Sequence, residues 1–192
     1  MLYIFLLACS EEKTQDTQEE TPSLIAPEGI FPISSYHYNG SGCDDAGADR
    51  LSEIADRYMF FQHGEFFGQE YISAYGCADL DGCAAIEEAI ANQESFLLGL
   101  SYTFSEETED GTLTGITQST GFSSSEGICT EPTREEISLK YTDDGIEIFV
   151  EIFTGEDYEE DEDGYCTTDL AAIACENASC SSVEKVVLGP AQ

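Results

Sequence analysis

The chain has 192 residues, with 40 Asp or Glu against 6 Lys or Arg, for a formal net charge of −34. Phosphate neutralisation needs Lys and Arg, so this balance excludes nucleic acid as a partner and excludes docking on anionic lipid through a basic patch. It fits a solvated repulsive surface, a basic or cationic partner, or a salty milieu.

Seven apolar residues, Leu2 to Ala8, precede Cys9 and the polar run "SEEKTQDTQEE". A bilayer span takes about 20 apolar residues, so this stretch is too short to cross one. It reads as the apolar region and cleavage site of a secretory signal. The four residues Leu6-Leu7-Ala8-Cys9 resemble the lipobox of bacterial lipoproteins. That resemblance implies cleavage before Cys9, diacylglycerol on its sulfur and an acylated new amino terminus. Residues 1–8 would then be the signal, and the lipid bilayer would be a partner through acylated Cys9. Two or three acyl chains anchor a protein stably where one does not. Ser10, standing where Asp often signals inner-membrane retention in that class, implies the outer membrane of the cell envelope.

Residues 9–28 read as the lipidated Cys and an acidic flexible tether, too poor in large apolar residues to order itself. Residues 29–192 read as a single β-rich globular domain. "FPISSYHY" at 31–38 predicts a first strand. In "DDAGADRLSEIADRY", Leu51, Ile54, Ala55 and Tyr58 recur at helical spacing and predict a first helix. "YMFFQHGEFFGQEYISAY" predicts a hairpin turning at His63-Gly64, with Phe61 opposite Phe66 and Phe60 opposite Phe67. Those pairs place aromatic rings on both faces, as core or as a binding patch.

"DGCAAIEEAIAN" at 81–92 predicts a second helix, capped by Asp81, with Cys83, Ile86 and Ile90 on one face and Asn92 at its end. The alternation of Phe96, Leu98, Leu100, Tyr102 and Phe104 predicts a half-buried strand, with "GTLTGITQS" returning beside it. "REEISLKYTDDGIEIFVEIF" predicts a hairpin with Asp144-Gly145 as its loop. That loop pairs Tyr141 with Ile148, Leu139 with Val150 and Ile137 with Ile152. "TTDLAAIACEN" predicts a third short helix and "SSVEKVVLG" a closing strand. The sum is an α+β fold, mainly antiparallel β: a curled sheet or small barrel with two or three short helices, stapled by disulfides. With no Trp, the chain lacks the Gly-x-Trp of a lipocalin first strand.

Eight cysteines suit an oxidising compartment better than the cytosol. With Cys9 lipidated, seven remain, which predicts three bridges and one free thiol. Cys77 and Cys83 can close a small loop. Cys43 and Cys129 are the expected long-range pair. Cys166 and Cys175 would lie about 13 Å apart along a helix, beyond the ~7 Å a disulfide allows, so Cys180 takes one of them. The expected pair is Cys166 with Cys180, leaving Cys175 free.

Little in the chain names a reaction. The two histidines, His37 and His63, lack metal-ligand spacing, and no nucleophile-elbow or phosphate-loop pattern occurs. In "CADLDGCAAIEE", Asp79, Asp81, Gly82 and Glu88 match positions 3, 5, 6 and 12 of an EF-hand loop, but Cys77 stands at the first. Calcium is therefore the one cofactor the sequence suggests. The reading as a whole is a membrane-anchored lipoprotein with an acidic extracytoplasmic domain, binding or structural in role. The alternatives are a cell-envelope hydrolase using a carboxylate pair, or a calcium-binding module.

Overall fold

The computed structural model describes residues 24–97, 99–119, 122–123, 128–129, 133–155 and 178–192. Its strands are β1 (Ile30–Asn39), β2 (Tyr58–Phe66), β3 (Gln69–Cys77), β4 (Ser101–Phe104), β5 (Glu106–Glu107), β6 (Leu113–Ser119), β7 (Phe122–Ser123), β8 (Ile128–Cys129), β9 (Thr133–Thr142), β10 (Gly145–Thr154) and β11 (Ser179–Leu188). One antiparallel sheet runs in the order β4-β3-β2-β1-β11-β10-β9-β6-β5, with β7 and β8 forming a separate pair.

The two edges of this order are nearly one strand, because Ser105 alone separates β4 from β5. β4 pairs with β3, and β5 pairs with β6. The Ser105 N–H donates to the Thr114 carbonyl at 2.8 Å. Beside it, a Cβ on Gly115 would run into the carbonyl oxygen of Thr103. The sheet therefore curls until its edges meet along residues 103–115, and glycine is what permits that approach.

Side-chain alternation fills the inside of the curl. Ile137 and Leu139 of β9, Ile146, Ile148 and Val150 of β10, and Val186 and Leu188 of β11 are all buried in one cluster. Met59, Ile72, Ala74, Tyr102 and Phe104 supply the other half. On the outer face, α1 (Leu80–Ala91) lays Cys83, Ile86 and Ile90 against Phe60, Tyr58 and Tyr75. The apolar face expected for this helix is the one it buries. Its cap is Asp79, not Asp81: the Asp79 carboxylate accepts from the Gly82 N–H at 2.7 Å. Asn92 ends the helix as expected.

The expected first helix is reduced to a single 3-10 turn, Leu51–Glu53. Short polar side chains there bond the backbone locally and compete with a helix. Asp49 accepts from the Leu51 N–H at 2.9 Å and the Tyr36 N–H at 3.2 Å, and these bonds hold its carboxyl below the ordinary Asp value. Arg57 takes the carbonyls of Leu51, Ile54 and Asp56. Arg50 pairs with Glu53 at 2.9 Å. Among the described residues there is thus one α-helix. The third helix expected, within 167–177, lies outside them.

Both hairpins form, with their turns moved. The first turns at Phe67-Gly68, where φ is +52° and +78°, so Phe61 faces Ala74 and Phe66 faces Gln69. Gly64 stays within β2 because the Tyr71 ring opposite fills the space a Cβ would need. In the second, Gly145 pairs with Thr142, leaving Asp143-Asp144 as the loop. Ile137 then faces Val150, Leu139 faces Ile148 and Tyr141 faces Ile146. Gly145 (φ +147°) serves another need, since a Cβ there would strike the Leu188 carbonyl of the neighbouring strand. A two-residue slip preserves the buried face, because side chains alternate with period two.

Among the described residues, two disulfides staple the fold. Cys77–Cys83 closes the small loop expected of it. Cys43 pairs with Cys180 across 137 residues, in place of both Cys43–Cys129 and Cys166–Cys180. The register explains this. Asn39 faces Val183 in the β1–β11 pair, so Cys43, four residues past Asn39, is carried toward the residues just before Val183. The side chain of Cys129, and all of Cys166 and Cys175, lie outside the described residues. Loop-closure entropy makes the long bridge worth about 5 kcal/mol and the short one about 2 kcal/mol. The Cys43→Ser/Cys180→Ser protein should therefore lose about 2–3 kcal/mol more than Cys77→Ser/Cys83→Ser in non-reducing urea unfolding. Equal losses would contradict this placement of the staples.

Candidate functional site

The apolar lining of the curl gives way at one end to a polar cluster that includes Tyr36, Tyr102, Glu135 and Glu184. Glu184 of β11 lies on the same face as Val186 and Leu188, and Glu135 of β9 on the same face as Ile137 and Leu139. Tyr36 of β1 donates its hydroxyl to Glu184 Oε2 at 2.7 Å. Tyr102 of β4 donates to Glu184 Oε1. One carboxylate thus ties β11 to its neighbour β1 and to the edge strand β4 across the curl. Tyr102 is buried, while Tyr36, Glu135 and Glu184 are half-buried, so the cluster sits where the curl opens to solvent.

Burial and the neighbouring Glu184 charge shape the titration of the others. Burial, and then Glu184, push the Tyr36 and Tyr102 hydroxyls well above the ordinary Tyr value. The same two causes, in the same order, raise the Glu135 carboxyl. Chemically, the arrangement is an anion held by two phenol donors beside a second acid that resists ionising. Sequence reasoning passed over it. The signal was present: in "EEISL" (135–139) Glu135, and in "VEKVVL" (183–188) Glu184, takes the place of an apolar residue in an alternating strand.

The outer face carries a groove of about 520 Å³ on β6, β9 and β10. Ile116 and Phe149 supply apolar surface in it, and Glu106, Glu136 and Glu151 supply carboxylates. Such a lining suits a basic ligand with an apolar part.

The sequence-derived candidates are scattered. Of the aromatic hairpin, Phe60 is buried and Phe61 half-buried against Phe31, with ring centroids 5.6 Å apart. Phe66 and Phe67 sit exposed at the turn, with ring centroids 4.4 Å apart. The calcium candidates do not converge. Asp79 is spent on the helix cap, and Asp81 and Glu88 lie seven residues apart along α1, roughly 10 Å of helix. Among the described residues, the one group with metal-ligand proximity is Cys43, Glu151 and Cys180, whose two sulfurs are joined to each other. His37 bonds locally to Gly47 and Ser35, and His63 lies 3.8 Å from Glu70. No described helix is long and apolar enough to cross a membrane. No family model, curated protein or solved structure matches the chain.

The raised tyrosines make stability depend on alkaline pH. Below about pH 10 they are protonated in the folded and the unfolded chain, and their contribution is complete. Above it the unfolded chain releases protons that the folded one retains, so stability falls as pH rises. Glu135 acts in the same sense at the acid end, its contribution fading as pH climbs through the Glu range to its raised value. Tyr102→Phe should cost about 1–3 kcal/mol at pH 7 by leaving Glu184 short of a donor. It should also flatten the fall in urea midpoint above pH 10. Parallel pH curves for the two proteins would remove Tyr102 from the cluster.

Proposed function

We propose that the chain is a lipid-anchored protein of the bacterial cell envelope whose acidic domain works by binding. The observation that carries this reading is the two disulfides among the described residues, one closing the fold from Cys43 to Cys180 and one pinning α1. Such bridges persist in oxidising compartments outside the cytoplasm. Leu6-Leu7-Ala8-Cys9 supplies the route there, and Ser10 the outer membrane as destination.

Two features support binding. The net charge of −34 selects for basic or cationic partners. The groove around Phe149, with three carboxylates in its lining, offers both apolar contact and complementary charge. One observation favours the alternative, a hydrolase with a carboxylate pair: the Glu135 carboxyl is raised beside Glu184. Against it, both oxygens of Glu184 already accept from phenols, which makes this carboxylate a fixed anchor for Tyr36 and Tyr102. Calcium has less support, because Asp79, Asp81 and Glu88 do not gather.

Intact mass of the membrane-extracted protein, non-reduced and thiol-alkylated, tests the reading. The expected mass begins at Cys9, carries acyl chains and shows one alkylated thiol. A mass retaining residues 1–8 without lipid would refute the anchor.

A further inference from the structure

The strongest unexplained surface feature is the tip of the β2–β3 hairpin. β1 pairs with β2 only from Ile30 to Pro32, and β4 pairs with β3 only from Ile72 to Tyr75. The rungs from Gly64–Tyr71 to Phe66–Gln69 thus pair only with each other. The hairpin extends past the sheet and ends in two phenylalanines. Phe67 is 93% exposed and Phe66 56% exposed. Phe67 also holds φ +52°, a left-handed conformation that Asn or Asp would enter with less strain. A strained, solvent-facing phenylalanine contributes little to this fold.

The position of the tip points to an occupant. The Leu24 N–H donates to Glu70 Oε2 at 3.2 Å, and Glu70 is one rung from the turn. Leu24 itself is buried, and Ile25 beside it is 75% exposed. The chain therefore meets the domain beside the aromatic tip. From Cys9 to Leu24 is 15 residues, a length of chain that can reach at most about 50 Å.

Resting on the lipid-anchor reading above, we propose that Phe66 and Phe67 dip into the bilayer that holds Cys9, so that the domain docks by its hairpin tip. Phenylalanine rings at a narrow protruding turn can bury their apolar surface at the boundary between headgroups and acyl chains. Tethering supplies the proximity that two side chains alone could not. Glu65 and Glu70 flank the tip, so the docking surface is zwitterionic lipid rather than anionic lipid.

The chain has no Trp, so a single substitution makes an unambiguous reporter. Full-length Phe67→Trp protein, extracted with its lipid, is placed in phosphatidylethanolamine–phosphatidylcholine vesicles with and without brominated acyl chains. Leu97→Trp is the control, since Leu97 is 94% exposed and outside the hairpin. The expected result is blue-shifted emission from Phe67→Trp, strongly quenched by bromine, with Leu97→Trp unquenched. Lipidated protein whose Phe67→Trp emission stays water-like overturns the docking and leaves the anchor standing. Protein whose mass shows no lipid, and which fails to join vesicles, overturns both. A concentration-dependent blue shift of the unlipidated Cys9→Ser protein in buffer would assign the tip to a second copy and overturn the docking.

Discussion

The whole architecture depends on where the last strand goes. β11 lies between β1 and β10, pairing antiparallel with both along most of its length. It joins the strands built from the first part of the chain to those built from the last. Without it, the sheet would divide into β1–β4 on one side and β5, β6, β9 and β10 on the other, each with an unsatisfied edge. Such a closure is non-local, and its entropy cost falls on a chain whose surface charges repel one another. The Cys43–Cys180 bridge meets that difficulty directly, because it ties the end of β1 to the start of β11.

The polar cluster follows from the same placement. Glu184 stands on β11, with Val150 on one flank and Tyr38 on the other. From there it reaches Tyr36 on the neighbouring strand and Tyr102 across the curl. A half-buried carboxylate is expensive unless hydrogen-bonded, and two phenols meet the need. The interaction is also specific: it demands β1, β4 and β11 in one arrangement. Glu135 adds a second acid where the curl opens, which is the kind of asymmetry from which either a ligand site or a catalytic pair is made.

Much of the fold was legible where local chemistry and apolar alternation agreed. β1, the β9–β10 hairpin, α1 and β11 all stand close to where their patterns place them. The misses have particular causes. The stretch 44–58 has helical spacing, but Asp49 and Arg57 bind its backbone and leave a single turn. Gly64 and Gly145 read as turn residues, yet both are glycine because something packs where a Cβ would be: the Tyr71 ring and the Leu188 carbonyl. Such approaches come from strands distant in sequence, and no local pattern encodes them. The long disulfide was missed for the same reason, since it depends on the register of β11 against β1. Glu135 and Glu184 could have been flagged as charges on apolar faces. Their tyrosine partners could not, because the curl alone brings them together.

The most direct test is the connectivity of the long bridge, read by mass spectrometry of peptides from a non-reducing digest. The account predicts a cross-linked peptide joining Cys43 to Cys180. Peptides joining Cys43 to Cys129, or Cys166 to Cys180, would contradict the insertion of β11 beside β1 and the cluster built on it.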